Sequence, residues 1–192
     1  MAQKLILPIN KARITAGYKN GNYRSQFGYT HYGVDMTVQR GYVDRTVYAS
    51  GNGKVTHCGW HPSGGNVIVI VYEDCVLTDG KRTGLAVRYF HLESIKVSVG
   101  QVVNKDTVIG LYGNTGASSG AHLHVEVDTD TKYPNYSPQT SRSNSVLKAG
   151  TDSTINPTKA FYCKRSKPDY QSVVSSGYNT LTSSDTAYVI LT

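Results

Sequence analysis

Charged side chains are in short supply here: Asp, Glu, Lys and Arg together make up 17% of the 192 residues. No stretch is long and apolar enough to cross a membrane as a helix, so no membrane insertion is expected. The N-terminus, Met1-Ala2-Gln3-Lys4-Leu5-Ile6-Leu7-Pro8, lacks the apolar core of a secretory signal. There are only three cysteines, Cys58, Cys75 and Cys163. Their spacing matches no paired zinc motif, and an odd number leaves at least one thiol unpaired within the chain. Ordinary buried or half-buried thiols are the expectation. Ala, Leu and Glu are scarce, which argues against a helical domain. The basic residues are scattered, with no run longer than Lys81-Arg82 or Lys164-Arg165, and no nucleic-acid motif of the helix, finger or aromatic-sheet kind occurs. Nucleic acid is not an expected partner.

What is abundant points the other way. Nineteen Gly and fifteen Tyr, with 39% apolar residues, favour strands and turns. The formal charge of +7 suits anionic surroundings, such as an anionic cell-wall polymer. The length fits one compact domain with a short appendage. Residues 1 to about 30 read as an extended lead-in that cannot form a long helix. From Thr46 short strands follow one another, divided by turns at Gly51-Asn52-Gly53 and Pro62-Ser63-Gly64-Gly65-Asn66. Val67-Ile68-Val69-Ile70-Val71-Tyr72 is the strongest of them and should lie at the sheet's centre. Leu85 to His91, Gly100 to Val103, Val108 to Tyr112 and His122 to Val127 continue the series. The pattern predicts a mainly β, antiparallel sheet or sandwich. Residues 133–154 read as a long polar excursion and Ile155 to Tyr162 as a closing element. Residues 1–163 form the expected domain, and the Ser/Thr-rich 164–192 a tail or linker.

Two histidine patterns carry the chemistry. One is His31-Tyr32-Gly33-Val34-Asp35, the other His122-Leu123-His124. On a strand, residues i and i+2 share a face, so His122 and His124 project together. Two imidazoles on an otherwise Val/Leu strand are costly to bury unpaired, and a metal ion relieves that cost because neutral imidazole is its commonest ligand. One carboxylate with two imidazoles leaves a fourth tetrahedral position for water, the arrangement of a catalytic zinc site, whereas closed structural sites favour cysteine. His57 and His61, flanking Trp60, read as exposed loop histidines.

The motifs around these patterns resemble the M23 metallopeptidases, the lysostaphin-type or LytM-type peptidoglycan endopeptidases. The likeness runs in order from about Pro8 to Phe161. It includes His31 to Asp35, Ala49-Ser-Gly-Asn-Gly-Lys-Val55, Gly59-Trp60, Gly64-Gly65-Asn66, Tyr89-Phe90-His91-Leu92, Val99 to Val103, Ile109-Gly110, and Gly113-Asn-Thr-Gly116 before Gly120-Ala-His-Leu-His124. The resemblance implies a compact, largely antiparallel β-fold with a groove for one zinc ion and an extended peptide. It implies His31, Asp35 and His124 as zinc ligands, and His91 and His122 as the two non-ligand active-site histidines. Members of that family often carry a transition-state-stabilising tyrosine upstream of the first ligand, and Tyr18, Tyr23 and Tyr29 are the candidates here. The segment Glu73 to Gly84 looks longer than usual and is expected to reshape one wall of the groove.

The implied activity is zinc-dependent hydrolysis of stem or cross-bridge peptides in bacterial peptidoglycan, at the extracellular wall. Without a signal peptide, delivery is expected through phage lysis machinery, a virion or non-classical export, as for a phage lysin or tail-associated enzyme. The rival readings are an inactive wall-binding or structural module on the same scaffold, and a zinc peptidase with a non-wall substrate.

Overall fold

A computed structural model describes residues 1–162. The proposed tail, 164–192, and Cys163 lie outside the described residues. The chain begins with β1 (Leu5–Ile6) and β2 (Ala12–Ala16), then a short helix α1 (Gly21–Phe27) and β3 (Val34–Val38). Next come β4 (Thr46–Tyr48), β5 (Gly53–His61), β6 (Gly65–Val76) and β7 (Arg82–Ile95). They are followed by β8 (Val102–Val103), β9 (Val108–Tyr112) and β10 (Leu123–Asp128). Four two-residue strands close the described residues: β11 (Tyr136–Ser137), β12 (Lys148–Ala149), β13 (Thr154–Ile155) and β14 (Phe161–Tyr162).

The main sheet runs β2-β3-β10-β7-β6-β5-β8, each neighbouring pair antiparallel. The predicted mainly β, antiparallel class is the one observed. The Val67 to Tyr72 run becomes β6, an interior strand flanked by β5 and β7, while the longer β7 holds the middle of the order. Burial of Val67 to Ile70 and of Tyr72, with Val71 half-buried, follows from two covered faces. Ile68, Ile70 and Tyr72 enter the main core, while Val67 and Val69 join a second cluster with Phe90, Val146 and Leu147. Strand alternation assigns these sets to opposite sides, and each fully buried Val or Ile contributes roughly 1.5–3 kcal/mol. Val146 and Leu147 come from the polar excursion 133–154. That segment is therefore a cover for the second face, pinned by the β11–β12 pair, rather than a bare surface loop.

Two other expectations are revised. The lead-in contains α1, formed despite weak helix formers because both ends are capped. Asn20 Oδ1 accepts the Tyr23 N–H at 3.1 Å. Gly28, at φ 80°, turns the chain left-handed and donates its N–H to Arg24 O at 2.8 Å. The Glu73–Gly84 segment does not touch the groove. It extends β6 and β7 as a paired hairpin (Cys75 opposite Thr83, Val76 opposite Arg82), at the end of these strands remote from the groove-lining Gly64 and His91. Cys58 is half-buried and Cys75 buried, both as free thiols. No helix among the described residues is long and apolar enough to span a membrane.

Candidate metal centre and active site

Alternation also decides what lies on the second face. Val34 and Met36 of β3 and Leu123, Val125 and Val127 of β10 point into the main core. The intervening Asp35 and His124 therefore turn the other way, and register places them directly opposite each other. His31, just ahead of β3, closes the group. His31 Nε2 lies 3.0 Å from Asp35 Oδ1 and 3.0 Å from His124 Nδ1, and His124 Nδ1 lies 2.8 Å from Asp35 Oδ1. All three side chains are buried.

This triangle suits a metal ion. A tetrahedral centre with bonds of about 2.0–2.1 Å sets its ligand atoms roughly 3.3 Å apart, close to the spacing here. His31 donates its Nδ1–H to Gly17 O at 2.7 Å, which leaves Nε2 as a bare lone pair facing the centre. Burial alone would push the Asp35 carboxyl up, but His31, His122 and His124 around it hold it well below the usual carboxylate range. Burial would lower His124, yet Asp35 and Glu126 outweigh it and raise the imidazole to about 9. The centre thus attracts positive charge. Its two imidazoles and one carboxylate, with no thiolate, match the donors of a catalytic zinc site.

Gly33 is required by this packing. A Cβ there would lie 2.8 Å from both Cε1 and Nε2 of His124, and closer still to Val125 O. Backbone and a fixed ring cannot yield, so Gly33→Ala is expected to destabilise the fold by about 1–3 kcal/mol through overpacking. It should also weaken metal binding by displacing His124. Thermal melts with and without zinc test both effects.

The two remaining histidines flank the triangle. His122 precedes β10 and is held by its own N–H to Gly113 O at 3.0 Å. Its Nδ1–H donates to Gly120 O at 2.7 Å, and its Nε2 faces Asp35 Oδ1 at 3.5 Å. His91 lies within β7 at φ 59°, a left-handed conformation that costs a non-glycine residue about 1–3 kcal/mol. That twist breaks alternation, so the consecutive residues Phe90 and His91 both line the groove. Its backbone N–H donates to Gly64 O and its carbonyl accepts from Gly113 N–H. Its Nδ1–H donates to Thr115 O at 2.8 Å, leaving Nε2 as the free nitrogen. Burial, with His122 and His124 alongside, pushes His91 down to about 4, so it is neutral at pH 7. The His91 and His122 rings are 4.9 Å apart.

All five residues singled out from the sequence thus border one groove of about 630 Å³, or its floor. Tyr23 and Tyr29 line the same groove. Tyr23 stacks on His31 with centroids 4.3 Å apart, and its hydroxyl lies 3.3 Å from that of Tyr29. Tyr18 is engaged elsewhere, with Thr154. His57 and His61 are not exposed loop residues, because both belong to β5. His61 is fully buried and ties two groove walls together. It donates Nε2–H to Arg142 O at 2.7 Å, and its Nδ1 accepts from Ser63 Oγ at 3.0 Å. Its place after Trp60, at the start of a Pro-Ser-Gly-Gly turn, gave no periodic signal of burial.

Comparison with known proteins identifies the family. The family described as peptidase family M23 matches residues 29–136. The chain belongs to that family. It is 39% identical over 97 residues to the peptidoglycan DD-endopeptidase ShyA of Vibrio cholerae serotype O1, covering 50% of this chain and 20% of ShyA. It is 33% identical over 121 residues to the glycyl-glycine endopeptidase ALE-1 of Staphylococcus capitis, covering 57% of this chain and 30% of that protein. Among solved structures, a zinc-containing peptidase from Vibrio cholerae aligns with a TM-score of 0.52 at 33% identity, over 66% of this chain and 37% of the other. The chain spans a minor part of the length of these relatives.

Proposed function

We propose that the protein is a zinc-dependent endopeptidase that hydrolyses peptide bonds in the stem or cross-bridge peptides of bacterial peptidoglycan. The observation that carries this reading is the convergence of His31 Nε2, Asp35 Oδ1 and His124 Nδ1 beside two histidines whose Nδ1–H groups are tied to backbone carbonyls. Those ties leave both remaining Nε2 atoms for proton transfer. In this proposal His31, Asp35 and His124 hold the metal. A bound zinc ion supplies Lewis acidity to the attacking water and the scissile carbonyl. His91 or His122 takes the water's proton at Nε2 and returns it to the amine nitrogen as the C–N bond breaks, while the other steadies the developing oxyanion. Tyr23 and Tyr29, which line the groove, are the tyrosines available to assist.

Names of relatives support the substrate class: ShyA and ALE-1 are endopeptidases for different bonds, one DD and one glycyl-glycine. An extended peptide in the groove would be read mainly through its backbone. The +7 charge would raise its local concentration on an anionic wall. An inactive binding module is the rival, and the presence of all five site residues speaks against it.

The test is incubation of the metal-analysed protein with purified peptidoglycans of differing cross-bridge, with and without a chelator, and mass spectrometry of the released ends. Chelator-sensitive new amino termini are expected, and their sequence names the bond. One equivalent of zinc with no new ends from any wall would replace the enzyme reading by the binding module.

A further inference from the structure

On the sheet face that carries the site, behind His124, lies a buried ionic cluster that the scheme above does not use. Arg88 of β7 donates Nε–H to Glu126 Oε2 at 2.7 Å, Nη2–H to Asp128 Oδ2 at 2.6 Å and Nη1–H to Pro134 O at 2.9 Å. Ser137 Oγ–H donates to the second Glu126 oxygen, Oε1, at 3.0 Å. Arg88, Glu126 and Ser137 are 0% exposed and Asp128 is 1% exposed. Such clusters often fail to repay their desolvation, so stability alone is a weak reason for one between β7 and β10. The cluster's position offers a reason for its presence.

Glu126 Oε1 faces His124 Nε2 at 3.7 Å. That ring nitrogen is fully buried and has no partner at hydrogen-bonding distance. The opposite nitrogen, Nδ1, is the one turned toward Asp35 and His31. Neutral imidazole carries one proton, and a carboxylate beside Nε2 favours the tautomer protonated there. We propose that Glu126, locked by Arg88 and Ser137, is a positioning residue that keeps His124 protonated at Nε2 and its Nδ1 lone pair aimed at the metal. This rests on the assignment of His31, Asp35 and His124 as ligands.

The test uses the full chain stripped of metal, titrated with Zn²⁺ against a chromophoric chelator and melted with and without zinc. Glu126→Gln keeps shape and removes the charge. It is expected to weaken zinc binding about 10–100-fold, as loss of an outer carboxylate partner does, and to shrink the zinc-induced rise in melting temperature. Asp128→Asn removes a carboxylate of equal burial on the far side of Arg88, and should bind zinc as the parent does. Parental affinity in Glu126→Gln, with equal drops in metal-free and loaded melting temperatures, would mean a structural role only and overturn the proposal. Equal affinity losses in both variants would also overturn it, since net charge rather than contact with His124 would then be responsible. Should Glu126→Gln fail to fold, Ser137→Ala frees Oε1 without changing charge, and a smaller loss of affinity in the same direction is expected. Absence of zinc binding by the parent is a separate outcome, and it removes the ligand assignment itself.

Discussion

Replacing His91 by alanine is expected to leave one equivalent of zinc bound and to lower kcat by about 10²–10⁴-fold, the usual worth of a positioned acid or base. No atom of His91 belongs to the buried triangle of His31, Asp35 and His124, so the metal has no reason to leave. Loss of the imidazole removes a group that is neutral at pH 7, is oriented by Thr115 O, and has its other nitrogen free. Whether that nitrogen takes the water's proton or its neighbour does, the groove loses one of its two proton-handling groups. The left-handed backbone at φ 59° provides a control. His91→Gly removes the same ring but accepts that conformation without strain, so its stability should equal or exceed that of His91→Ala while its turnover is equally low. Metal analysis beside kcat on purified peptidoglycan checks the pair. Full activity in either variant would take His91 out of the mechanism.

The strained conformation of His91 marks where the sequence stopped being informative. Period-2 alternation, read through Leu85 to His91, puts Phe90 and His91 on opposite faces. The shift in β6–β7 pairing on either side of Val67 and the contacts of the chain to Gly64 and Gly113 override that alternation, and both lie beyond a local pattern. Patterns short enough to be local were legible. His31 precedes one strand and Asp35 lies within it, His122 immediately precedes another strand that holds His124, and the β-branched run of β6 announced its own burial. What hid was long-range. Val146 and Leu147 look incidental within a polar stretch until the second face of β6 needs a cover. His61 looks exposed until Arg142 O and Ser63 close on it from two loops. Helix α1 was missed because its caps, not its composition, form it. The Glu73–Gly84 segment was assigned to the wrong end of the sheet because strand direction, not loop length, decides which loops meet the groove.

Asp35→Ala should give the opposite signature to His91→Ala: zinc and activity lost together. Asp35 Oδ1 is within 3.0 Å of a nitrogen of both His31 and His124, and it is the one carboxylate in the triangle. Its removal leaves imidazoles facing one another across buried space with no negative charge between them. The expected loss of affinity exceeds the roughly 10–100-fold that an outer partner costs, because a direct ligand and its charge vanish at once. Stability offers a readout that needs no substrate. Zinc at about 100 times its dissociation constant stabilises a binding-competent fold by roughly 2.7 kcal/mol, so it should raise the melting temperature of the parent and of His91→Ala while leaving Asp35→Ala unmoved. His31→Ala should behave as Asp35→Ala does. A full equivalent of zinc retained by Asp35→Ala would place the metal away from this triangle, and the groove histidines would then need another partner to act upon.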